Sequence, residues 1–329
     1  MNEIKTIKIH CLSTAVTPIT HMMGTSGNEA LINREKVMCV GEIHEVPVIS
    51  GNALRHKAVR YPGAMHITKT CGLVGKLTID QANFLFNGGA LTDSSISENL
   101  AKIAAMQELL PLYRLLGGSL RNQVIGGSLL VGRGILVCEE NREVLNRMLP
   151  EGLLPTTDLR SCADFVSQWQ YTRSDVKKHP ELLEIADEEQ DGSPMIYSGE
   201  NVIPGAVFYH SFILQNVSRL ELGALLYSLH AWQEEYGGMI GGQARIGHGK
   251  LKTEILPDGD TFFGDGLDPA GYIQEYLEHT YSNRERIARW LQETFPKGGK
   301  KPRSKKEVHH VPPVKPPTAD WDEVEEENA

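Results

Sequence analysis

The sequence of 329 residues lacks long hydrophobic runs. It contains no stretch of about 18 apolar residues and no apolar N-terminal segment of the kind found in signal peptides, so we expect no contact with a membrane. Cysteines are also few: the five of them are scattered, and no two form a CxxC pair. An odd, dispersed set argues against a disulfide framework or a zinc knuckle and predicts a cytoplasmic protein.

Motifs for metal, nucleotide or cofactor binding are missing as well. None of the 12 histidines stands in an HExxH or similar ligand spacing. The P-loop pattern fails, because Lys250 is followed by Leu251 and Ala244 stands where the first glycine of that pattern belongs. The dinucleotide fingerprint fails because the segment before the glycines is typical of a helix, not of a strand. We therefore expect neither a cofactor nor a metal.

The chain has no excess of positive charge. Its formal net charge is −9, whereas nucleic-acid-binding proteins usually carry a basic patch. However, residues 181–191 contain six acidic residues and no basic one. The charge is therefore segregated along the chain, and a basic groove elsewhere remains compatible with the composition.

A glycine-rich segment stands out against these absences. Residues 237–250 (GGMIGGQARIGHGK) contain six glycines, with cationic and polar side chains near the end. Glycines allow close approach of the backbone, and bare amide groups with interleaved cations favour an anion such as a phosphate. The alternative is a flexible surface loop. If the segment binds phosphate, the candidate residues are Gly242, Arg245, His248 and Lys250.

A second cationic segment follows a short strand at residues 45–49. The turn at residues 50–52 leads into a predicted helix over residues 51–61, with Asn52 as its N-cap and Pro62-Gly63 as its end. Cations near a helix N-terminus are unfavourable unless an anion binds there. The alternative is an ordinary solvated amphipathic helix. The candidate phosphate contacts here are Asn52, Arg55, His56, Lys57 and Arg60.

The order of the remaining patterns predicts an α+β fold. We expect loops at residues 21–45 and an irregular region at residues 155–205, one helix over residues 96–116 and a final amphipathic helix over residues 271–294. The core elements are predicted as a strand at 4–20, the helix at 51–61, a strand pair within 124–138, a strand at 207–215, a helix at 220–236 and a strand ending at 256. This order matches a ferredoxin-like (RNA-recognition-motif-like) βαββαβ core with long insertions.

These segments together resemble a known family. Residues 49–56 (ISGNALRH) resemble the Pro-Gly-Ser-Ser-Leu-Arg/Lys-Gly signature of the RAMP superfamily of CRISPR effector proteins, and residues 237–250 are similar to its C-terminal glycine-rich loop. Residues 4–24 are similar to its first strand and glycine turn. The length and motif order resemble the backbone subunit, most closely its type IV form. Two departures concern the signature: His56 replaces a glycine, and Asn52-Ala53 replaces two serines.

The resemblance implies a function in RNA-guided defence against foreign DNA such as plasmids. Copies of the subunit would assemble head-to-tail along CRISPR RNA with other effector subunits, and the guide would select target DNA by base pairing. Residues 1–295 would form the RNA-binding domain, with a finger at about 21–45 and a thumb at about 155–205, before a disordered basic-then-acidic tail at 296–329. Further RNA contacts implied by the resemblance are Arg121, Arg133, Arg173, Lys177 and Lys178.

The resemblance also bears on catalysis. Type III relatives cleave target RNA with an aspartate in the loop after strand one, but residues 25–40 contain Glu29, Asn33 and Glu35 and no aspartate. We therefore expect a binding subunit and not an enzyme. The alternative is a single-copy RAMP endoribonuclease or capping subunit that processes CRISPR RNA with a histidine such as His21 or His248 as general base. An unrelated glycine-rich metabolic enzyme is a more distant third possibility.

Overall fold

The structure, a computed structural model, describes residues 6–26, 29–91, 100–120, 123–150, 159–173, 195–257 and 268–296. The chain divides into a compact unit, Met1–Pro296, and a second unit, Lys297–Ala329. All of the described residues belong to the first unit. The tail expected to be disordered lies outside the described residues, as does the acidic segment at residues 181–191.

Thirteen strands are present in the described part of the chain. They are β1 (Thr6–Ala15), β2 (Met22–Ser26), β3 (Glu29–Ile32), β4 (Arg34–Cys39), β5 (Glu42–Ile49), β6 (Gly118–Leu120), β7 (Gln123–Ile125), β8 (Leu129–Val131), β9 (Gly134–Leu136), β10 (Val166–Arg173), β11 (Met195–Val202), β12 (Val207–Gln215) and β13 (Leu251–Pro257).

Helices fill the intervals between these strands. They are α1 (Gly51–Leu54), α2 (Tyr61–Thr70), α3 (Ile79–Ala82), α4 (Leu100–Leu109), α5 (Pro111–Leu116), α6 (Arg142–Met148), α7 (Arg219–Glu234), α8 (Pro269–Ser282) and α9 (Arg284–Thr294), with π-helical turns at Arg55–Arg60 and Asn83–Asn87 and 3-10 turns at Cys162–Phe165 and Ala244–Ile246. The α+β fold class is confirmed.

The main sheet is antiparallel and runs in the order β13-β1-β12-β9-β5-β4, with β8 also pairing to β12. Its two longest strands, β1 and β12, are neighbours and pair from Thr6 opposite Gln215 to Thr14 opposite Val207. A second sheet has the order β10-β11-β3-β2 and is antiparallel except between β11 and β3. Strands β1 and β13, the first and the last of the described strands, are thus neighbours in the main sheet.

The main core lies between the large sheet and the helices. Alternate residues of β12 such as Phe208 and Phe212 face this core, together with Leu225 and Trp232 of α7, whereas Tyr209 joins a smaller apolar cluster with α6 on the other face. Helix α7 begins with a capping box in which Ser218 and Glu221 satisfy each other's backbone amides. No helix among the described residues is long and apolar enough to span a bilayer.

The helix that starts at residue 51 does not end at Pro62-Gly63, as the sequence predicts, but continues to Thr70. The π-helical turn before the proline, in which the Tyr61 N–H donates to the His56 carbonyl, changes the hydrogen-bond register just where proline lacks a donor. Gly63 is a packing residue, because a Cβ there would lie 2.4 Å from Leu112 Cδ2.

Other boundaries also differ from expectation. The predicted loops at residues 21–45 are strands β2 to β5, and the irregular region at 155–205 contains the β10–β11 hairpin. Pro111 divides the helix expected at residues 96–116 into α4 and α5, because proline starts a helix more readily than it continues one. The final helix is divided at Asn283, whose side chain donates to the His279 carbonyl.

Gly223 allows α7 and α8 to approach each other closely. A Cβ at this position would lie 2.1 Å from the Tyr272 carbonyl oxygen. This oxygen belongs to the backbone of α8, so it cannot shift aside as the end of a flexible side chain could. We expect Gly223→Ala to lower the free energy of unfolding by about 1–3 kcal/mol, the usual cost of overpacking. Chemical denaturation measures it, with Gly126→Ala as the control, since Gly126 has nothing within 4 Å of its Cβ position. Equal stability of the two variants would contradict this close packing.

Candidate nucleic-acid interface

Residues 17–21, here called the bridging turn, follow β1 and hold the glycine-rich segment. Thr20 Oγ1 and His248 Nδ1 share a hydrogen bond of 2.8 Å. The Lys250 N–H donates to Thr17 Oγ1 at 2.9 Å, and the Gly249 N–H donates to the Pro18 carbonyl at 2.8 Å. The end of the glycine-rich segment is therefore attached along the bridging turn.

The next residue of the bridging turn holds the second motif. The Ser50 N–H donates to His21 Nε2 at 3.1 Å, just before the first residue of α1. Gly51 in turn lies against the β8–β9 connection, since a Cβ there would be 2.7 Å from the Val131 carbonyl oxygen. The two motifs, about 190 residues apart in sequence, thus attach to the neighbouring residues Thr20 and His21.

The glycines are required by the loop's own packing. Gly238, Gly241 and Gly249 have positive φ angles, and a Cβ on each would lie 2.1–2.4 Å from a backbone oxygen. Many loop amides already donate within the protein: Ile240 to Gly249, Gly242 to Thr20, Gly247 to Ala244 and His248 to Gln243. The expectation of a row of bare amides that binds an anion is therefore wrong for these groups.

Charge at this loop comes from side chains. Arg245, in the 3-10 turn Ala244–Ile246, and Lys250 are both exposed, as is Gly242 between them and the bridging turn. Neither cation has an ion-pair partner within the described part of the chain, and Lys252 on β13, which the sequence analysis did not single out, is also exposed. An exposed, uncompensated pair of cations attracts polyanions.

The start of α1 differs from the expected arrangement. Ser50, not Asn52, is the N-cap: its backbone is extended, and Ser50 Oγ accepts a hydrogen bond from the Ala53 N–H at 3.2 Å. Asn52 is exposed beside this cap, and Lys57 is exposed one and a half turns further on. Both remain available for contact with a ligand.

Arg55 serves the fold. Its guanidinium donates to the Leu129 carbonyl at 3.0 Å and to the Leu116 carbonyl at the C-terminal end of α5. Partial burial, then the nearby charge of Arg60, lowers the pKa of Arg55. A cation that satisfies helix C-terminal carbonyls stabilises that helix end. Arg55 thus links a helix to strand β8, and these two bonds are made without any phosphate.

Arg60 and His56 are also enclosed. Arg60 is only 8% exposed, lies against Gly88 at the end of the Asn83–Asn87 turn, and has a lowered pKa because of its burial. Burial and then the charges of Lys57 and Arg60 lower the pKa of His56, which favours its neutral ring. Neither side chain presents a free charge at the surface.

The remaining candidate RNA contacts lie in different environments. Arg133 forms an ion pair with Glu35 of β4. Arg173 ends β10, and Arg121, Lys177 and Lys178 lie outside the described residues.

An open pocket of about 400 Å³ is lined by Arg34 and Glu200. These two side chains form an ion pair, because both oxygens of Glu200 accept from Arg34 at 2.7 Å. The described residues contain no His/Cys/Asp/Glu group suited to a metal ion, and all five cysteines are free.

Removing Arg55 should destabilise the fold. Arg55→Ala leaves two carbonyls without donors, and we expect the free energy of unfolding to fall by about 2–4 kcal/mol. Arg55→Lys should recover only part of it, because an ammonium does not reproduce the guanidinium fork. Lys57→Ala is the exposed control and should change stability by less than about 0.5 kcal/mol. Denaturant titration distinguishes these outcomes. If Arg55→Ala has the same free energy of unfolding as the wild type, the two hydrogen bonds of Arg55 are dispensable for stability.

The bridging turn should weaken in acid. Burial lowers the pKa of His21 below its ordinary value of about 6.5, so the neutral ring that accepts from Ser50 is favoured in the fold. This contribution is complete above about pH 6.5 and is lost as the pH falls through the pKa of folded His21. We expect a loss of about 1 kcal/mol. His21→Gln, which keeps an acceptor, should lessen the difference in unfolding free energy between pH 7.5 and 5, whereas the exposed His230→Gln should not.

Comparisons with known proteins agree on the fold alone. No protein-family model and no curated protein matches the chain. Among solved structures, the chain is similar to a chain of the structure titled "Type IV-B CRISPR Complex", with 18% sequence identity and a TM-score of 0.53 over 79% of this chain and 99% of that chain. At this identity the similarity is one of fold, and it extends over almost the whole length of the CRISPR complex chain.

Proposed function

We propose that this chain is a subunit of an RNA-guided CRISPR effector complex in the cytoplasm and that it binds CRISPR RNA as the backbone subunit. The observation that carries the proposal is the fold similarity to a chain of a type IV-B CRISPR complex, 99% of which is covered. The motif order noted in the sequence, which resembles the RAMP superfamily, supports the same assignment independently of the fold comparison.

The sheet supports a ferredoxin-like core as part of this proposal. The four strands β13, β1, β12 and β9 lie side by side and are antiparallel, while the helix starting at α1 and helix α7 connect them in chain order. A βαββαβ unit with the fourth strand beside the first has this arrangement. In this interpretation β2 to β5 and the β10–β11 hairpin are the insertions.

Phosphate binding would use the exposed cations near the bridging turn. Arg245, Lys250 and Lys57 are exposed and unpaired in the described ranges, whereas Arg55 and Arg60 are used by the fold. Phosphate contacts position a strand without reading its sequence, so one protein could carry any guide, and base pairing would then select target DNA. Copies would assemble head-to-tail along the RNA beside other effector subunits.

We also propose that the chain binds RNA without cleaving it. Among the residues after β1 that could replace the aspartate of type III relatives, Glu35 is already held in an ion pair with Arg133. One observation favours the alternative, a single-copy nuclease that processes the guide. Burial lowers the pKa of both His21 and His248, and a neutral imidazole is a competent general base.

Copy number distinguishes the two functions. The chain should be co-expressed with a CRISPR array and its neighbouring genes, purified, and examined by native mass spectrometry and RNA sequencing. Several copies on one guide-length RNA are expected for the backbone subunit. One copy per shortened RNA, with loss of shortening in His248→Ala, would support the nuclease. A monomer free of RNA would contradict both.

The loop cations should set the salt dependence of RNA binding. Replacing Arg245 and Lys250 together by Gln should weaken binding of single-stranded RNA and lower the slope of log K against log salt by about 1.4, for two lost phosphate contacts. Lys76→Gln with Arg289→Gln removes the same charge from exposed positions elsewhere and should leave the slope unchanged. Identical slopes for the two double variants would rule out the glycine-rich segment as a phosphate contact.

A further inference from the structure

Three aromatic rings form a stacked row on the β10–β11 hairpin. Trp169 and Tyr171 lie two residues apart on β10, on one face, with ring centroids 5.5 Å apart and planes inclined by 9°. Tyr171 is directly opposite Tyr197 of β11, with centroids 5.3 Å apart and planes inclined by 19°. We call these three residues the aromatic row. It is not visible in the sequence, because the rings of the two strands meet only through strand pairing.

The aromatic row begins beside the glycine-rich segment. Trp169 meets the edge of His248 at a centroid distance of 6.1 Å, and His248 is the residue bonded to the bridging turn. The base of the hairpin is attached to the same turn, because Ile19 and Val202 exchange backbone hydrogen bonds of 2.8 and 2.9 Å. The row and the loop cations therefore share one support.

Trp169 is held firmly in this position. Its Nε1–H donates to the Glu200 carbonyl at 3.1 Å. Its ring lies across Gly199, where a Cβ would be 2.7 Å from the indole. Tyr171, by contrast, is 38% exposed. The row is thus preorganised at one end, and Tyr171 in its middle is exposed to solvent while Trp169 and Tyr197 are half-buried.

The core does not require these rings. None of the three belongs to either apolar cluster or packs against one. Cross-strand pairing of Tyr171 with Tyr197 stabilises the hairpin, but this does not account for the position of Trp169 against His248, two residues before the exposed Lys250. Aromatic faces beside unpaired cations are the combination by which proteins bind single-stranded nucleic acids: cations contact phosphates, and bases stack on the rings.

We propose that the aromatic row stacks unpaired bases of a single-stranded RNA whose phosphates contact Arg245 and Lys250. This inference rests on the proposed function and adds a base contact to it. Every base has an aromatic face, so the contact is independent of sequence, as a carrier of many guides requires. The competing occupant of this surface is a second copy of the chain.

The test compares a short single-stranded RNA with an abasic strand of the same length. Wild-type protein should bind the base-bearing RNA more tightly, by roughly 5- to 150-fold for one stacked base and by more for several. Tyr171→Leu, which keeps apolar bulk and loses the flat ring, should reduce this preference strongly and leave abasic binding unchanged. Tyr171→Phe should keep the preference, as should Gln170→Ala on the opposite face of β10. Thermal melting checks that each variant folds.

The outcomes separate the two proposals. If wild-type protein binds neither strand, the proposed RNA-binding function is overturned. If it binds both strands equally, or if Tyr171→Leu keeps the full preference, only the stacking inference is overturned. If Tyr171→Leu weakens binding of both strands and lowers the copy number per RNA in native mass spectra, the row is a contact between copies, which also overturns stacking.

Discussion

The attachment of two distant motifs to neighbouring residues of the bridging turn is the constraint on which the candidate site depends. Thr20 bonds to His248, and His21 accepts from Ser50. The turn follows β1, which lies between β13 and β12 in the main sheet. Because β1 is paired on both sides over most of its length, the turn has little freedom, and neither motif can move without disturbing the core. The site is therefore part of the sheet's construction.

The cations of the two motifs divide according to their solvation. A charge is costly to bury unless oxygen atoms compensate it. Arg55 meets this condition through the carbonyls of Leu116 and Leu129, whereas Arg245 and Lys250 stay in water on the loop. The same residue type thus serves the fold in one motif and remains available to a ligand in the other. A motif's residues are not equivalent contacts merely because they share its signature.

The sequence predicts the elements whose patterns are local and misses those that depend on distant partners. Strands β1 and β12 and helix α7 follow from their own apolar patterns. Strand β4 and the first half of β5 do not, because Met38 of β4 and Val40 of the turn are 67% and 90% exposed, and the order of β4 comes from its pairing to β5, which in turn pairs to β9. Likewise the cationic character of Arg55 is readable from the sequence, but its acceptors, 61 and 74 residues away, are not. The sequence shows the glycines of the loop, but it does not show that glycine is required there because backbone oxygens lie too close for a Cβ.

The acidic composition is compatible with an RNA-binding surface because electrostatics act locally. Salt screens exposed charges beyond about 8 Å, so carboxylates far from the glycine-rich segment contribute little to the potential at Arg245. Among the described residues, carboxylates also neutralise other cations, as Glu35 does for Arg133 and Glu200 for Arg34. These ion pairs reduce the attraction of polyanions to the surfaces around Arg133 and Arg34, whereas the attraction to the cations of the glycine-rich segment remains. A net charge of −9 then disfavours indiscriminate binding of polyanions, and under the proposed function the uncompensated cations of the loop would decide where an RNA strand is held.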